Sequence, residues 1–163
     1  MALKERELYS DVGHWFEMRL RSLYSNWEIQ VHDTSRVKLS SFLDRLGLSK
    51  AFAGSDAFEI EVDITGILLK GSKADLAFVE CKTGPITLKD LGQILGYSRV
   101  ASPALSVILS PNGMSASLGL LLSTYNRVDL LEYGNRKRMK IAVWDTSRKQ
   151  VDPASVLPPG ELG

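Results

Sequence analysis

The stretch from Phe58 to Lys82 constrains this chain more than any other. Phe58, Ile60, Val62 and Ile64 alternate with Glu59, Glu61, Asp63 and Thr65. Period-two alternation predicts a strand with one apolar and one polar face. A second strand reads from Ala74 to Lys82, with Lys70-Gly71-Ser72-Lys73 between the two. Gly-Ser suits the two-residue hairpin loop that needs glycine first. Pairing Lys70 with Lys73 then fixes every later pair. Ile64 faces Val79 and Val62 faces Cys81 on the apolar side; Asp63 faces Glu80 and Glu61 faces Lys82 on the polar side. Both strands accept this register, and a slip of one residue would mix the faces.

Helical spacing surrounds the hairpin. Leu8, Val12, Trp15, Phe16, Leu20 and Leu23 recur at three- and four-residue steps and predict a helix over 3–24. Trp27 to Val31 reads as a short strand, and within 33–57 the run from Val37 to Gly54 can carry one helix, with Gly47 and Gly54 as stops. Thr87 and Asp90 form a capping box that opens a helix to Ala101. Ala104–Ser110 and Lys140–Asp145 read as strands, and Ser115–Tyr133 as a long helix stopped by Gly134. The order implies an α/β domain over 1–151, with a central mixed sheet of four or five strands flanked by helices. Three prolines and two glycines in 152–163 predict a flexible tail.

The predicted register carries the chemistry. Directly opposed residues hold their Cβ atoms about 4.5–5.5 Å apart, so Asp63 and Glu80 form a carboxylate pair. Like charges that close repel, and a divalent cation removes the cost; hard oxygen donors with room for water suit Mg²⁺. Lys82 lies on the same face, where an amine can hold or deprotonate a water and neutralise charge growing on phosphorus. The alternative is a solvated face of cross-strand ion pairs.

The run from Glu61 to Gly84 resembles the core of the PD-(D/E)XK nucleases, in which an acid on one strand precedes acid-x-Lys on the next. Asp63 and Glu80-Cys81-Lys82 match that pattern, 17 residues apart. Lys82-Thr83-Gly84 and the following Gln93-x-x-x-Tyr97 are similar to the RecB-like branch. Gly13-x-x-x-Glu17 resembles the opening helix of many members, with Glu7 as the fallback acid and His14 ambiguous. The resemblance implies the restriction-endonuclease-like fold and cleavage of DNA, with RNA the alternative substrate. It implies Mg²⁺ or Mn²⁺ held by Asp63, Glu80, Glu17 and the Cys81 backbone carbonyl. Lys82 serves the attacking water, and Gln93 and Tyr97 steady the substrate strand. Members act as dimers or within larger machines, so a homodimer or a place in a larger nuclease complex is expected. A catalytically silent nuclease-fold module that binds DNA or a protein is the rival reading.

Composition removes other classes. Twenty basic residues against 19 acids leave a formal charge of +1, so binding by bulk positive charge is excluded while a local patch is not. Arg99 is the best-placed phosphate contact, ahead of Lys73 and Lys89; the run Asn135–Lys140 reads as a solvated turn or a second contact. Cys81, the single cysteine, excludes an internal disulfide and a Cys-rich zinc site, and reads as a small core residue. No secretory signal opens the chain and no apolar run is long enough to span a bilayer, so a cytoplasmic setting is expected.

Overall fold

A computed structural model describes residues 2–160 of the chain. Helix α1, Tyr9–Leu23, follows a 3₁₀ turn at Glu5–Glu7 and buries Val12, Phe16 and Leu20 on one stripe. Strand β1, Glu28–Asp33, comes next, then the seven-residue α2, Leu39–Arg45, and two 3₁₀ turns. The hairpin follows: β2, Ile64–Lys70, and β3, Lys73–Cys81. Its register matches the expectation from Lys70↔Lys73 to Ile64↔Val79, and Gly71 takes φ +59° at the turn. Helix α3, Leu88–Ala101, crosses over to β4, Leu105–Ser110, which lies parallel to β3; β7, Lys140–Asp145, lies parallel to β4. The short β8, Gln150–Val151, completes a six-stranded mixed sheet in the order β1-β2-β3-β4-β7-β8, one strand more than expected.

Each sheet face has its own core. Phe16 and Leu20 of α1 pack with Ile64, Val79, Cys81 and Leu109 on one side. Residues of α2 and α3 pack with Ile67, Phe78, Ile108 and Ile141 on the other. At Gly66 the sheet takes α1 in close: a Cβ there would stand 2.6 Å from Leu20 Cδ1.

The structure corrects three expectations. The strand does not start at Phe58. Residues 58–62 are extended and alternate in burial, but their carbonyls turn to α2: Ile60 O accepts from Leu39 N and Phe58 O from Ser40 N. Val62 therefore joins the α2/α3 core and Ile64 the α1 core, so Val62–Cys81 and Glu61–Lys82 are not pairs, and Glu61 is exposed. Second, 115–133 is not one helix. Helix α4, Ala116–Gly119, passes into a π turn at Leu120–Thr124; Asn126 takes φ +53°, and a 3₁₀ turn at Val128–Leu131 leads to the hairpin of β5, Glu132–Gly134, and β6, Lys137–Arg138. Leu118 and Leu122, one turn apart, share one buried face, and that face ends there, with Leu120 and Tyr125 exposed. Third, the proline-rich end packs as far as Pro158. Val156 is buried, and Leu157 exchanges both backbone hydrogen bonds with Ile141. Residues 161–163 lie outside the described residues. No described helix is long and apolar enough to cross a membrane.

Candidate functional site

The site begins where the hairpin ladder stops. Beyond Ile64–Val79 the next peptide N–H of β3, that of Cys81, donates to Asp63 Oδ2 at 2.8 Å instead of to a strand carbonyl. Asp63 Oδ1 accepts from the Tyr9 hydroxyl at 2.7 Å, which ties α1 to the sheet. The Asp63 backbone is held as well. Its carbonyl accepts from Thr34 N at 2.9 Å, while the Thr34 hydroxyl donates to Val62 O at 2.6 Å and meets Thr65 Oγ1 at 2.7 Å. The Asp63 N–H points at Glu80 Oε2, 3.4 Å away, so the expected acidic couple forms although the two residues are no longer a ladder pair.

Lys82 stands between two carboxylates, with Nζ 3.6 Å from Glu80 Oε1 and 3.7 Å from Glu5 Oε1. Its own N–H donates to Leu109 O and keeps that end of β3 attached to β4. Burial together with the Asp63 charge pushes the Glu80 carboxyl up to about 8, against the pull of Lys82. Burial also raises the Asp63 carboxyl, opposed by the donors Tyr9 and Cys81. Burial alone would lower the Lys82 ammonium, but Glu80 and Glu5 outweigh it and hold the pKa above its usual value. These are two carboxylates that resist carrying charge together, beside a firmly protonated amine. The donors are hard oxygens, the type that binds Mg²⁺ or Mn²⁺ through one or two carboxylates with water completing the shell.

Other expected residues lie elsewhere. Glu17 is bound to Arg21 at 2.9 Å and lines, with Tyr9, Gly13, His14, His32 and Asp33, a groove of about 470 Å³ between α1 and β1 that adjoins Asp63 through Tyr9. Among the described residues no three of His, Cys, Asp and Glu come together as a ligand set, so neither Glu17 nor His14 joins the acidic couple. The fallback Glu7 caps the first turn through Lys4 N. The Cys81 thiol is fully buried in the α1 core, and burial pushes its pKa well up, as suits a core residue. Gln93 and Tyr97 do share a face of α3, with Gln93 Nε2 donating to the Tyr97 hydroxyl at 3.1 Å. That helix starts beside the site: Asp90, in its Thr87 capping box, contributes to the field on Lys82. Arg99 is about 14 Å further along the same axis and reaches the Glu132 carbonyl at 3.4 Å. The structure thus separates Arg99 from the acidic couple. Tyr9 on Asp63 and Glu5 on Lys82 are neighbours of the couple that the sequence did not suggest. No spacing in the sequence marks either, because both depend on how α1 docks.

No family model and no curated protein matches this chain. One solved structure, a protein of unknown function named AF1548, superimposes with a TM-score of 0.37 at 12% identity. The match takes in 88% of this chain and 61% of that one, and at this level of likeness it assigns neither fold nor function.

Proposed function

We propose that this chain is a divalent-metal-dependent nuclease that hydrolyses DNA phosphodiester bonds, with the restriction-endonuclease-like core of the PD-(D/E)XK enzymes. The observation that carries the proposal is the couple of buried Asp63 and half-buried Glu80, with the Lys82 ammonium 3.6 Å from Glu80. The topology agrees with it: a helix, three antiparallel strands, a crossover helix and a parallel strand, with the acids at the start of β2 and the end of β3.

Asp63 and Glu80 would hold Mg²⁺ or Mn²⁺, helped by the Cys81 carbonyl, and the ion would polarise the phosphoryl oxygen and acidify a bound water. The chain's own residues do the rest. Tyr9 and the Cys81 N–H take one lone pair from each Asp63 oxygen and fix the carboxylate plane. Lys82, kept protonated by its neighbours, acts as a fixed cation that orients the attacking water and offsets charge growing on the phosphate. Gln93 and Tyr97 offer an amide and a hydroxyl to the substrate strand.

Asp63→Asn tests the reading. It is expected to abolish Mg²⁺- or Mn²⁺-dependent cleavage of DNA while the circular-dichroism spectrum and DNA binding persist. Unchanged cleavage would remove this site from the chemistry. A parent protein that cuts neither DNA nor RNA with either ion would make the fold a silent binding module.

A further inference from the structure

A second feature lies away from the acidic couple. Glu132, Arg136, Arg138, Lys140, Pro158 and Pro159 line a hollow of about 500 Å³ beside the first residue of β7. Three cations face one acid there, in a chain whose total charge is +1. Glu132 is already engaged by Arg138 at 3.1 Å. Lys140 Nζ donates to the Pro158 carbonyl at 3.0 Å and has no carboxylate partner among the described residues. Burial and the charge of Arg138 push the Lys140 ammonium below its usual pKa, the mark of a cation that lacks a counter-charge. Arg136, at φ +63° in the turn of the β5–β6 hairpin, also has no ion-pair partner among the described residues. Lys137 and Arg99 add charge to the same end of the molecule, on the carbonyls of Ser102, Pro103 and Glu132.

Cations gathered in a concavity repel unless an anion joins them. Arginine forks with a lysine point charge suit phosphate oxygens. The charges follow a hairpin and its flank, which suits successive phosphates of a polymer better than a single ion. We propose that this hollow anchors backbone phosphates of a nucleic-acid strand, apart from the Asp63–Glu80 couple. The inference goes beyond the cutting site and rests on the nuclease reading only for the identity of the polymer.

The test is anisotropy of labelled oligonucleotides in EDTA, titrated with salt. Arg136→Asn with Lys140→Met removes both charges while keeping a residue tolerant of positive φ and an apolar stem. With a strand of about 20 nucleotides, the slope of log affinity against log salt should fall by about 1.4–1.8 for two lost phosphate contacts. Arg136→Asn alone should give about half the effect and guards against a misfolded double variant. Equal slopes for parent and folded variants overturn the hollow, as does a parent that binds no nucleic acid. The same preparations are assayed for Mn²⁺-dependent cutting at saturating substrate, which the double variant should retain. A parent that cuts while the slopes stay equal loses the hollow and keeps the nuclease. A parent that does not cut but loses slope on mutation does the reverse.

Discussion

Glu80→Gln should stabilise the folded protein at alkaline pH, and the size of the effect follows from the site. The Glu80 carboxyl moves from 4.5 to about 8 on folding, through burial first and the Asp63 charge second. Below the unfolded value both states hold the proton and nothing is lost. Between the two values the unfolded chain releases its proton and the folded chain keeps it, so stability falls by about 1.4 kcal/mol per pH unit. Above the folded value both are ionised and the full loss stands, on the order of 5 kcal/mol. Glutamine does not titrate, and its amide oxygen can still accept from the Asp63 N–H. The stability gap between variant and parent should therefore open by about 3–5 kcal/mol in favour of the variant from about pH 5 to about pH 8.5. Urea denaturation in EDTA at the two pH values measures it. Mn²⁺ at a hundredfold over its Kd should return about 2.7 kcal/mol to the parent and little to the variant. A gap that stays constant with pH would mean that Glu80 is not held beside a second buried carboxylate, and the account of the site would fail.

Three further outcomes are expected. Lys82→Met keeps the aliphatic stem and removes the cation between Glu80 and Glu5; single-turnover cleavage should drop by about 100-fold or more while calorimetry still detects Mn²⁺ binding. Cutting within about tenfold of the parent would relieve Lys82 of its role. Tyr9→Phe combined with Asp63→Ala in a double-mutant cycle should show a coupling of about 1 kcal/mol or more in urea denaturation, and zero coupling would contradict the 2.7 Å hydrogen bond. Gly66→Ala drives a methyl to 2.6 Å from Leu20 Cδ1 and 3.3 Å from Ala77 Cβ. It should cost about 1–3 kcal/mol by overpacking, and an unchanged urea midpoint would mean that α1 sits further from the sheet.

The hairpin was legible because its forces are local. A glycine-first turn and a period-two pattern fix a register once one pair is set, and Ile64↔Val79 follows from Lys70↔Lys73. The Thr87–Asp90 capping box was legible for the same reason. The break at Asp63 was not. Continuing the alternation to Phe58 gives a longer ladder, but α2 presents N–H groups that claim the Phe58 and Ile60 carbonyls, and a carboxylate takes the Cys81 N–H. The leucine-rich 118–122 read as the interior of a long helix because Leu118 and Leu122 do share one buried face, and the run itself does not mark where that helix stops.

Residue order alone set the tight turn and the alternation that carry Asp63, Glu80 and Lys82 toward one end of the hairpin, but past the last ladder pair Asp63 is held by Tyr9, Thr34 and the Cys81 N–H. Tertiary structure decided which residues surround them. The rotation and height of α1 on the sheet, set by Phe16 and Leu20 packing over Gly66, bring Tyr9 onto Asp63 and leave Glu17 with Arg21. Packing of side chains distant in sequence sets that docking, and no spacing along the chain records it.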